Sequence, residues 1–148
     1  RESSRLTGER GSSLFSVSVL RMITGAVASV WGKGTSRQII TPTLTAGIRG
    51  TGVYTEVFPA SNYCSYFCNC YGTVEMGAGA GRDSTLSQSD YHQAFWGEAE
   101  AKEGRFLTPA KAINHTDEEL EILARLVNQQ TAWQILGKKG TKDSGGYK

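Results

Sequence analysis

Apolar and polar residues alternate along much of this chain, and this period of two is the feature that most constrains its fold. In residues 14–20, Phe15, Val17 and Val19 are separated by serines, and residues 53–58 and 66–71 alternate in the same way. Successive side chains on a strand point to opposite faces, so the pattern predicts half-buried strands. Residues 25–31 and 37–40 are further predicted strands. The 18 glycines, against 3 prolines, agree with strands and turns because glycine disfavours helices.

One helix is predicted near the C-terminus. The segment TDEE at 116–119 is a capping box, in which Thr116 caps a backbone N–H of the first turn and Glu119 reaches back. Apolar residues then recur at helical spacing, and the helix is expected to run to about Gln130. We expect Trp133, Ile135 and Leu136 to dock after it. The acidic residues Asp117, Glu118, Glu119 and Glu121 are interpreted as a solvated helix face.

The chain of 148 residues is the length of one domain and is divided here into four segments. We predict a β core at 1–76, a loop-rich extension at 77–115, a helix with its docking segment at 116–136, and a polar tail at 137–148. The fold class is therefore mainly β with one C-terminal α-helix. The chain begins without Met or a signal-like stretch, so we expect a leader to precede Arg1.

The charge and the hydropathy of the chain argue against nucleic-acid binding and against a membrane-spanning helix. The formal net charge is +2, with scattered Lys and Arg, which does not favour a nucleic-acid partner. No apolar stretch has the roughly 18 residues that a membrane-spanning helix needs. We expect neither nucleic-acid binding nor a direct membrane span.

The segment ITPTLTAGIRGTGVYTEV at 40–57 resembles the core of FecR-type domains. The residues that carry this resemblance are Thr41, Pro42, Thr43, Ala46, Gly47, Ile48, Arg49, Gly50 and Thr51. The resemblance covers about residues 10 to 76, and it implies a FecR-like, sandwich-like β-sheet domain. FecR regulators also carry a sigma-factor-binding segment and a membrane span ahead of their periplasmic part; neither is recognised in these 148 residues, so we do not expect a regulator role.

Three later segments, YFCNCYG, YHQAFW and INHTDEEL, resemble an exported bacterial FecR subgroup with a Cys-x-Cys-Tyr-Gly strand and a late Asn-His-Thr-Asp segment. This resemblance implies a periplasmic, or otherwise exported, module of the kind used in signalling across the bacterial envelope. It supplies no active site.

Two cysteines and the only two histidines form a candidate metal site. Cys68, Cys70, His92 and His115 offer two thiolates and two imidazoles, the ligand set of tetrahedral zinc or a similar transition metal. The spacing of the cysteines is unfavourable. Alternate residues on a flat strand hold their Cβ atoms about 6.5–7 Å apart, whereas two sulfurs on one zinc ion lie about 3.8 Å apart. The strand must therefore bulge or end there, and Gly72 favours an end.

Other interpretations of these residues stay open from the sequence. Cys64 can form a disulfide with Cys68 or Cys70 across a turn at residues 65–67, or the thiols are inert and buried, or they are a redox pair. His115 directly precedes a helix cap, and His92 lies among aromatic residues, so either ring can have a packing role alone.

The sequence therefore supports two functions. The first is a non-enzymatic binding or accessory module, a periplasmic subunit that docks onto a larger envelope assembly. Seven aromatic residues, more than one small β domain readily buries, favour a protein partner; they are Trp31, Tyr54, Phe58, Tyr66, Phe95, Trp96 and Trp133. The alternative is a small metal-binding or redox protein that uses Cys68, Cys70, His92 and His115.

Overall fold

The computed structural model describes residues 19–32 and 36–139. Eight strands lie within these residues, and in chain order they are β1 (Val19–Arg21), β2 (Gly25–Val30), β3 (Ser36–Ile40), β4 (Thr45–Phe58), β5 (Cys64–Ala78), β6 (Asp83–Ser89), β7 (Gln93–Lys102) and β8 (Arg105–Ala110). The helices are α1 (Asp117–Leu126) and α2 (Ala132–Leu136), and a 3-10 turn covers Pro59–Ser61. The prediction of a mainly β fold with a C-terminal helix is confirmed. Residues 14–18 of the strand predicted at 14–20, and most of the polar tail, lie outside the described residues.

A long antiparallel hairpin of β4 and β5 organises the single sheet. Along the outer edge of β4, residues 45–49 pair with β3 and residues 52–57 pair with β2. Along the outer edge of β5, residues 65–69 pair with β7 and residues 72–78 pair with β6. β8 extends the sheet beyond β7, and β1 pairs with β3 in the parallel direction. The two long strands thus hold all the other strands in place.

The two faces of the hairpin carry separate hydrophobic cores. The first core contains Val53 and Val57 of β4 and Phe67 of β5. The second core contains Tyr54 of β4 and Tyr66, Cys68 and Cys70 of β5, together with Leu120 of α1 and Trp133 of α2. The alternation predicted for 53–58 is confirmed, and so is the shared face of Tyr66, Cys68 and Cys70. The helices cover the face that carries the cysteines.

Two irregularities interrupt the hairpin at its middle. Val53 pairs with Asn69 but Gly52 pairs with Tyr71, so Cys70 is the extra residue of a β-bulge. Next to it, two residues of β4, Gly50 and Thr51, lie opposite the single residue Gly72. Gly72 has φ +106°, a conformation that favours glycine. The two irregularities offset each other, and the pairing continues to the end of both strands.

The bulge corrects one prediction about side-chain direction. Strict alternation along the strand predicted that Tyr71 shares a face with Phe67 and Asn69. In the structure, Tyr71 packs in the second core beside Cys70. An extra residue at the bulge puts two consecutive side chains on one face. The prediction for Tyr71 is therefore wrong, although the strand itself is correct.

The prediction that residues 77–115 consist mainly of loops is wrong. This segment contains β6, β7 and β8, all paired within the sheet. The glycine-rich residues 79–82 form only a tight turn between β5 and β6, with Gly79 at φ +64° and Gly81 at φ +86°. The glycine and serine content of this region indicated a loop, but residues 83–89 form β6, a short polar strand with one face in solvent.

The helix begins as predicted and ends early. Thr116 is the N-cap, and both hydrogen bonds of the capping box with Glu119 are present. α1 ends at Leu126 rather than near Gln130, and Asn128 follows in the left-handed conformation. Trp133 docks as expected, but Ile135 and Leu136 are 65% and 54% exposed. Neither helix of the described chain has the length and apolar character that crossing a membrane requires.

The aromatic residues do not form the exposed surface that was expected. Tyr54, Tyr66 and Trp133 are buried. The other four of the seven, Trp31, Phe58, Phe95 and Trp96, are partly buried and pack against one of the two cores. The argument for a protein partner loses this support, and docking onto an envelope assembly stays a prediction.

Asp83 ties the start of β8 to β6, and its removal is expected to destabilise the sheet. Its Oδ2 accepts hydrogen bonds from the backbone N–H groups of Phe106 and Leu107, both at 2.9 Å, and from Arg105 Nε at 3.0 Å. We expect Asp83→Ala to lower the free energy of unfolding by about 2 kcal/mol, since two backbone donors lose a charged acceptor. Urea unfolding measures this loss, and Asp90→Ala, at an exposed aspartate, is the control.

The same contacts predict how the contribution of Asp83 depends on pH. The hydrogen bond from Arg105 and those from the backbone lower the pKa of Asp83 from 3.8 to about 2. Because the folded-state pKa lies below the unfolded value, the contribution is complete above about pH 4 and disappears as the pH falls to about 2. The stability difference between wild type and Asp83→Ala should shrink over that range. A constant difference would contradict this prediction.

Candidate metal centre

Four side chains from three parts of the chain converge on one point in the second core. Cys68 and Cys70 lie on β5, His92 lies in the turn between β6 and β7, and His115 lies between β8 and α1. One ligand atom of each residue lies within 4.8 Å of the ligand atoms of the other three. The structure therefore brings together all four residues that the sequence singled out.

Four of the six separations between these atoms are close to those around one tetrahedral ion, and the other two, Cys68 to His115 and Cys70 to His92, lie within 4.8 Å. On tetrahedral zinc, the expected separations are about 3.8 Å for two sulfurs, about 3.6 Å for sulfur and nitrogen and about 3.3 Å for two nitrogens. The two Sγ atoms lie 3.5 Å apart, and the nitrogens His92 Nδ1 and His115 Nε2 lie 3.3 Å apart. Two sulfur–nitrogen pairs, Cys68 with His92 and Cys70 with His115, are each separated by 3.5 Å.

The β-bulge explains how alternate residues of a strand bring their sulfurs so close. Cys70 is the extra residue, and its backbone turns there so that its side chain approaches that of Cys68. From the sequence, both sulfurs could bind one ion only if the strand bulged or ended near Cys70. It bulges, and the expectation of an end at Gly72 is wrong because β5 continues to Ala78.

His92 is fixed by its backbone and by the second nitrogen of its ring. Its backbone N–H donates to the Cys70 carbonyl at 2.8 Å, and its φ of +49° is in the left-handed region. Ring atom Nε2 lies 2.7 Å from Asp117 Oδ1, and the ring stacks on Trp133 with centroids 5.1 Å apart. A strained backbone held by several contacts is frequent at functional sites.

His115 is held in the same manner by different partners. Its Nδ1 lies 2.6 Å from the carbonyl oxygen of Ile113, and its ring stacks on Tyr54 with a centroid separation of 4.6 Å. The Tyr66 hydroxyl orders the preceding segment by donating to the Lys111 carbonyl at 2.6 Å and accepting from the Ile113 N–H at 3.1 Å. Residues of the second core therefore aim both rings.

These hydrogen bonds assign the ring protons and reveal an electrostatic requirement. A carboxylate and a carbonyl only accept, so His92 carries its proton on Nε2 and His115 on Nδ1. The remaining nitrogens then present lone pairs toward each other at 3.3 Å, with two sulfurs beside them. With both rings neutral, four electron-rich atoms this close repel one another; a metal cation between them relieves the repulsion, as does a proton on His115 Nε2 that is donated to the Cys70 thiolate. This donor set is that of a metal site whose rings are oriented by outer partners.

Asp117 is the outer partner that the sequence argument missed. It was interpreted as part of a solvated helix face, but it is 6% exposed. Besides His92, it accepts hydrogen bonds from the Tyr91 hydroxyl at 2.7 Å and from Lys139 Nζ at 2.8 Å. Burial would raise the pKa of Asp117, but the bonds from Lys139, Tyr91 and His92 outweigh burial and lower it to about 2. Because His92 lies 25 positions before Asp117, no local sequence pattern indicated this contact.

Burial and charge at the site suit metal ligation better than nucleophilic chemistry. Cys68 and Cys70 are 0% exposed and His92 is 2% exposed, while the partly buried His115 forms the outer side. Burial alone would raise the pKa of the Cys70 thiol, but hydrogen bonds with Cys68 and His115 hold the pKa well below its usual value. A thiolate is therefore favoured at Cys70, although its side chain is fully buried.

Cys64 lies outside this cluster. Together with Cys68, it belongs to the continuous strand β5, so the expected turn at 65–67 is absent. Four strand residues span about 13 Å, whereas disulfide-bonded cysteines hold their Cα atoms within about 7 Å. The proposed disulfide of Cys64 with Cys68 is excluded by this geometry, as is that with the more distant Cys70. None of the three cysteines forms a disulfide within the described residues.

Comparisons with known proteins give no further assignment. No protein-family model matches this chain, and no curated protein or solved structure matches it at the significance required. The FecR-like assignment of residues 10–76, and the exported location that it implies, stay predictions.

Proposed function

We propose that this protein is a non-enzymatic metal-binding domain in which Cys68, Cys70, His92 and His115 hold one zinc ion. The observation that carries the proposal is the convergence of two sulfurs and two ring nitrogens, all within 4.8 Å of one another, inside the second core. Both rings also have the outer hydrogen-bond partners that metal-bound histidines typically have.

The ligand types favour zinc, in a structural role. Two thiolates balance the charge of a divalent ion, so the buried complex is neutral, and tetrahedral sulfur–nitrogen coordination is typical of zinc. Catalytic zinc sites keep one position open for water or substrate, whereas here four protein ligands complete the coordination. The ion would join β5, the β6–β7 turn and the segment before α1, and so would hold the helices on the sheet.

Metal analysis of matched cysteine variants tests this proposal. We expect the purified protein to contain about one equivalent of zinc, Cys68→Ser to lose it, and Cys64→Ser to retain it. Cys64 is the matched control because it is a buried cysteine on the same strand, outside the cluster. Equal metal content in the two variants would contradict the proposed site.

A spectroscopic measurement keeps the test decisive if Cys68→Ser does not fold. We expect cobalt(II), added to wild-type protein freed of zinc, to show the absorption of a tetrahedral ion with two thiolate ligands. Cys64→Ser should give the same spectrum. An octahedral cobalt spectrum, or no binding, would overturn the proposal.

A further inference from the structure

Lys139, the last residue that the structure describes, reaches back to the candidate metal centre. It follows the end of α2 and belongs to the segment that the sequence analysis interpreted as a polar tail. Its Nζ lies 2.8 Å from Asp117 Oδ2, although 46% of its side chain is exposed to solvent. A half-exposed lysine of the tail therefore contacts the outer partner of His92.

The two oxygens of the Asp117 carboxylate have different partners. Oδ1 lies 2.7 Å from His92 Nε2 and orients that ring. Oδ2 accepts hydrogen bonds from the Tyr91 hydroxyl at 2.7 Å and from Lys139 Nζ. The terminal torsion of an aspartate has broad minima, so its carboxylate turns easily unless both oxygens are held. Lys139 and Tyr91 therefore fix the direction of the oxygen that His92 uses.

The charges around the site give Lys139 a second role. Two thiolates on a divalent zinc ion form a neutral complex, and both histidine rings are neutral when they bind the ion. The Asp117 carboxylate adds one negative charge, and this residue is 6% exposed. A buried charge is costly unless it is paired, and the Lys139 ammonium group pairs with it. Without that group, the zinc-bound core would contain an unpaired carboxylate.

The other proposed histidine ligand does not depend on the tail. His115 Nδ1 lies 2.6 Å from the carbonyl oxygen of Ile113, a backbone acceptor. The outer hydrogen bond of one ring thus ends on the backbone, whereas that of the other leads through Asp117 to a lysine at the surface. The two rings of the same site can therefore be compared directly.

We propose that Lys139 is a positioning residue of the zinc site, whose positive charge holds Asp117 in place and so strengthens zinc binding through His92. This inference rests on the zinc site proposed above. It makes the affinity for a buried ion depend on a charge that solvent reaches. Acylation of Lys139, which removes that charge, would therefore weaken zinc binding.

The zinc affinity of matched lysine variants tests the proposal. In competition with a chromophoric chelator, Lys139→Met should raise the Kd for zinc about tenfold, the lower end of the effect of outer partners. Lys138→Met removes the neighbouring charge of the same tail and should leave Kd unchanged. Lys139→Arg keeps a positive donor and should restore most of the affinity. In an Asp117→Asn background, which has no carboxylate to hold, Lys139→Met should have no further effect.

NMR of the zinc-bound protein separates positioning from folding. Lys139→Met should shift the Nε2–H resonance of His92 and leave the Nδ1–H resonance of His115 unchanged. A shift of both resonances would indicate a general change of structure and would overturn the positioning role.

The affinities also distinguish this inference from the zinc site on which it rests. Unchanged or tighter zinc binding by Lys139→Met, or the same loss in the Asp117→Asn background, would overturn the role of Lys139 and leave the site itself intact. A wild-type protein that binds no zinc would overturn both.

Discussion

Chelation of the proposed zinc ion is expected to lower the midpoint of thermal unfolding by about 10 °C. A ligand that binds only the folded state stabilises it by about 4 kcal/mol when its free concentration is a thousand times Kd. For a domain of this size, each kcal/mol corresponds to roughly 2–4 °C. The effect is large because the ion would join three segments that are distant in the sequence. Without it, the two sulfurs and two ring nitrogens of the second core would lose the ion that joins their segments.

Differential scanning calorimetry with and without a zinc chelator measures this effect. Added zinc should restore the original midpoint. Cys64→Ser should keep the full response to chelator, whereas His92→Ala, which removes one proposed ligand, should unfold at the chelated midpoint and gain nothing from zinc. A wild-type midpoint that is indifferent to both chelator and zinc would contradict a stabilising metal.

Much of the fold could be predicted because its signals are local. Period two identified the strands at 53–58 and 66–71 and the faces of most of their residues, and the capping box located the start of α1. The strand β6 was missed because most of its residues are serine, threonine and glutamine in a glycine-rich context, although Leu86 is among its exposed side chains. Strand pairing, rather than composition, determines its structure.

The candidate site was predictable in its members and not in its geometry. Thiol and imidazole chemistry, together with the resemblance of their segments to the FecR subgroup, selected Cys68, Cys70, His92 and His115. Their convergence depends on a register shift between β4 and β5, which no stretch of either strand reveals alone. The role of Asp117 was hidden for a related reason: the residues that make it an outer partner, Tyr91, His92 and Lys139, come from other parts of the chain.

The backbone at the bulge should therefore be as important as the ligands, and Gly72→Ala tests this directly. Gly72 has φ +106°, and an added Cβ would lie 2.9 Å from the Cα of Thr51 and 2.8 Å from its Cβ. A strained φ costs about 1–3 kcal/mol, and overpacking costs about 1–3 kcal/mol more. We expect the free energy of unfolding to fall by about 4 kcal/mol in all.

The same substitution should weaken the metal site although it removes no ligand. Gly72 is two residues from Cys70, and relief of the clash with Thr51 would shift the bulge that brings the two sulfurs to 3.5 Å. We expect zinc affinity, measured by competition with a chromophoric chelator, to fall at least tenfold. Gly104→Ala is the matched control, since Gly104 has φ +82° but nothing within 4 Å of an added Cβ. It carries the backbone strain without the clash, so it should lose about 1–2 kcal/mol and bind zinc normally. Equal zinc affinities in the two variants would show that the bulge does not set the geometry of the site.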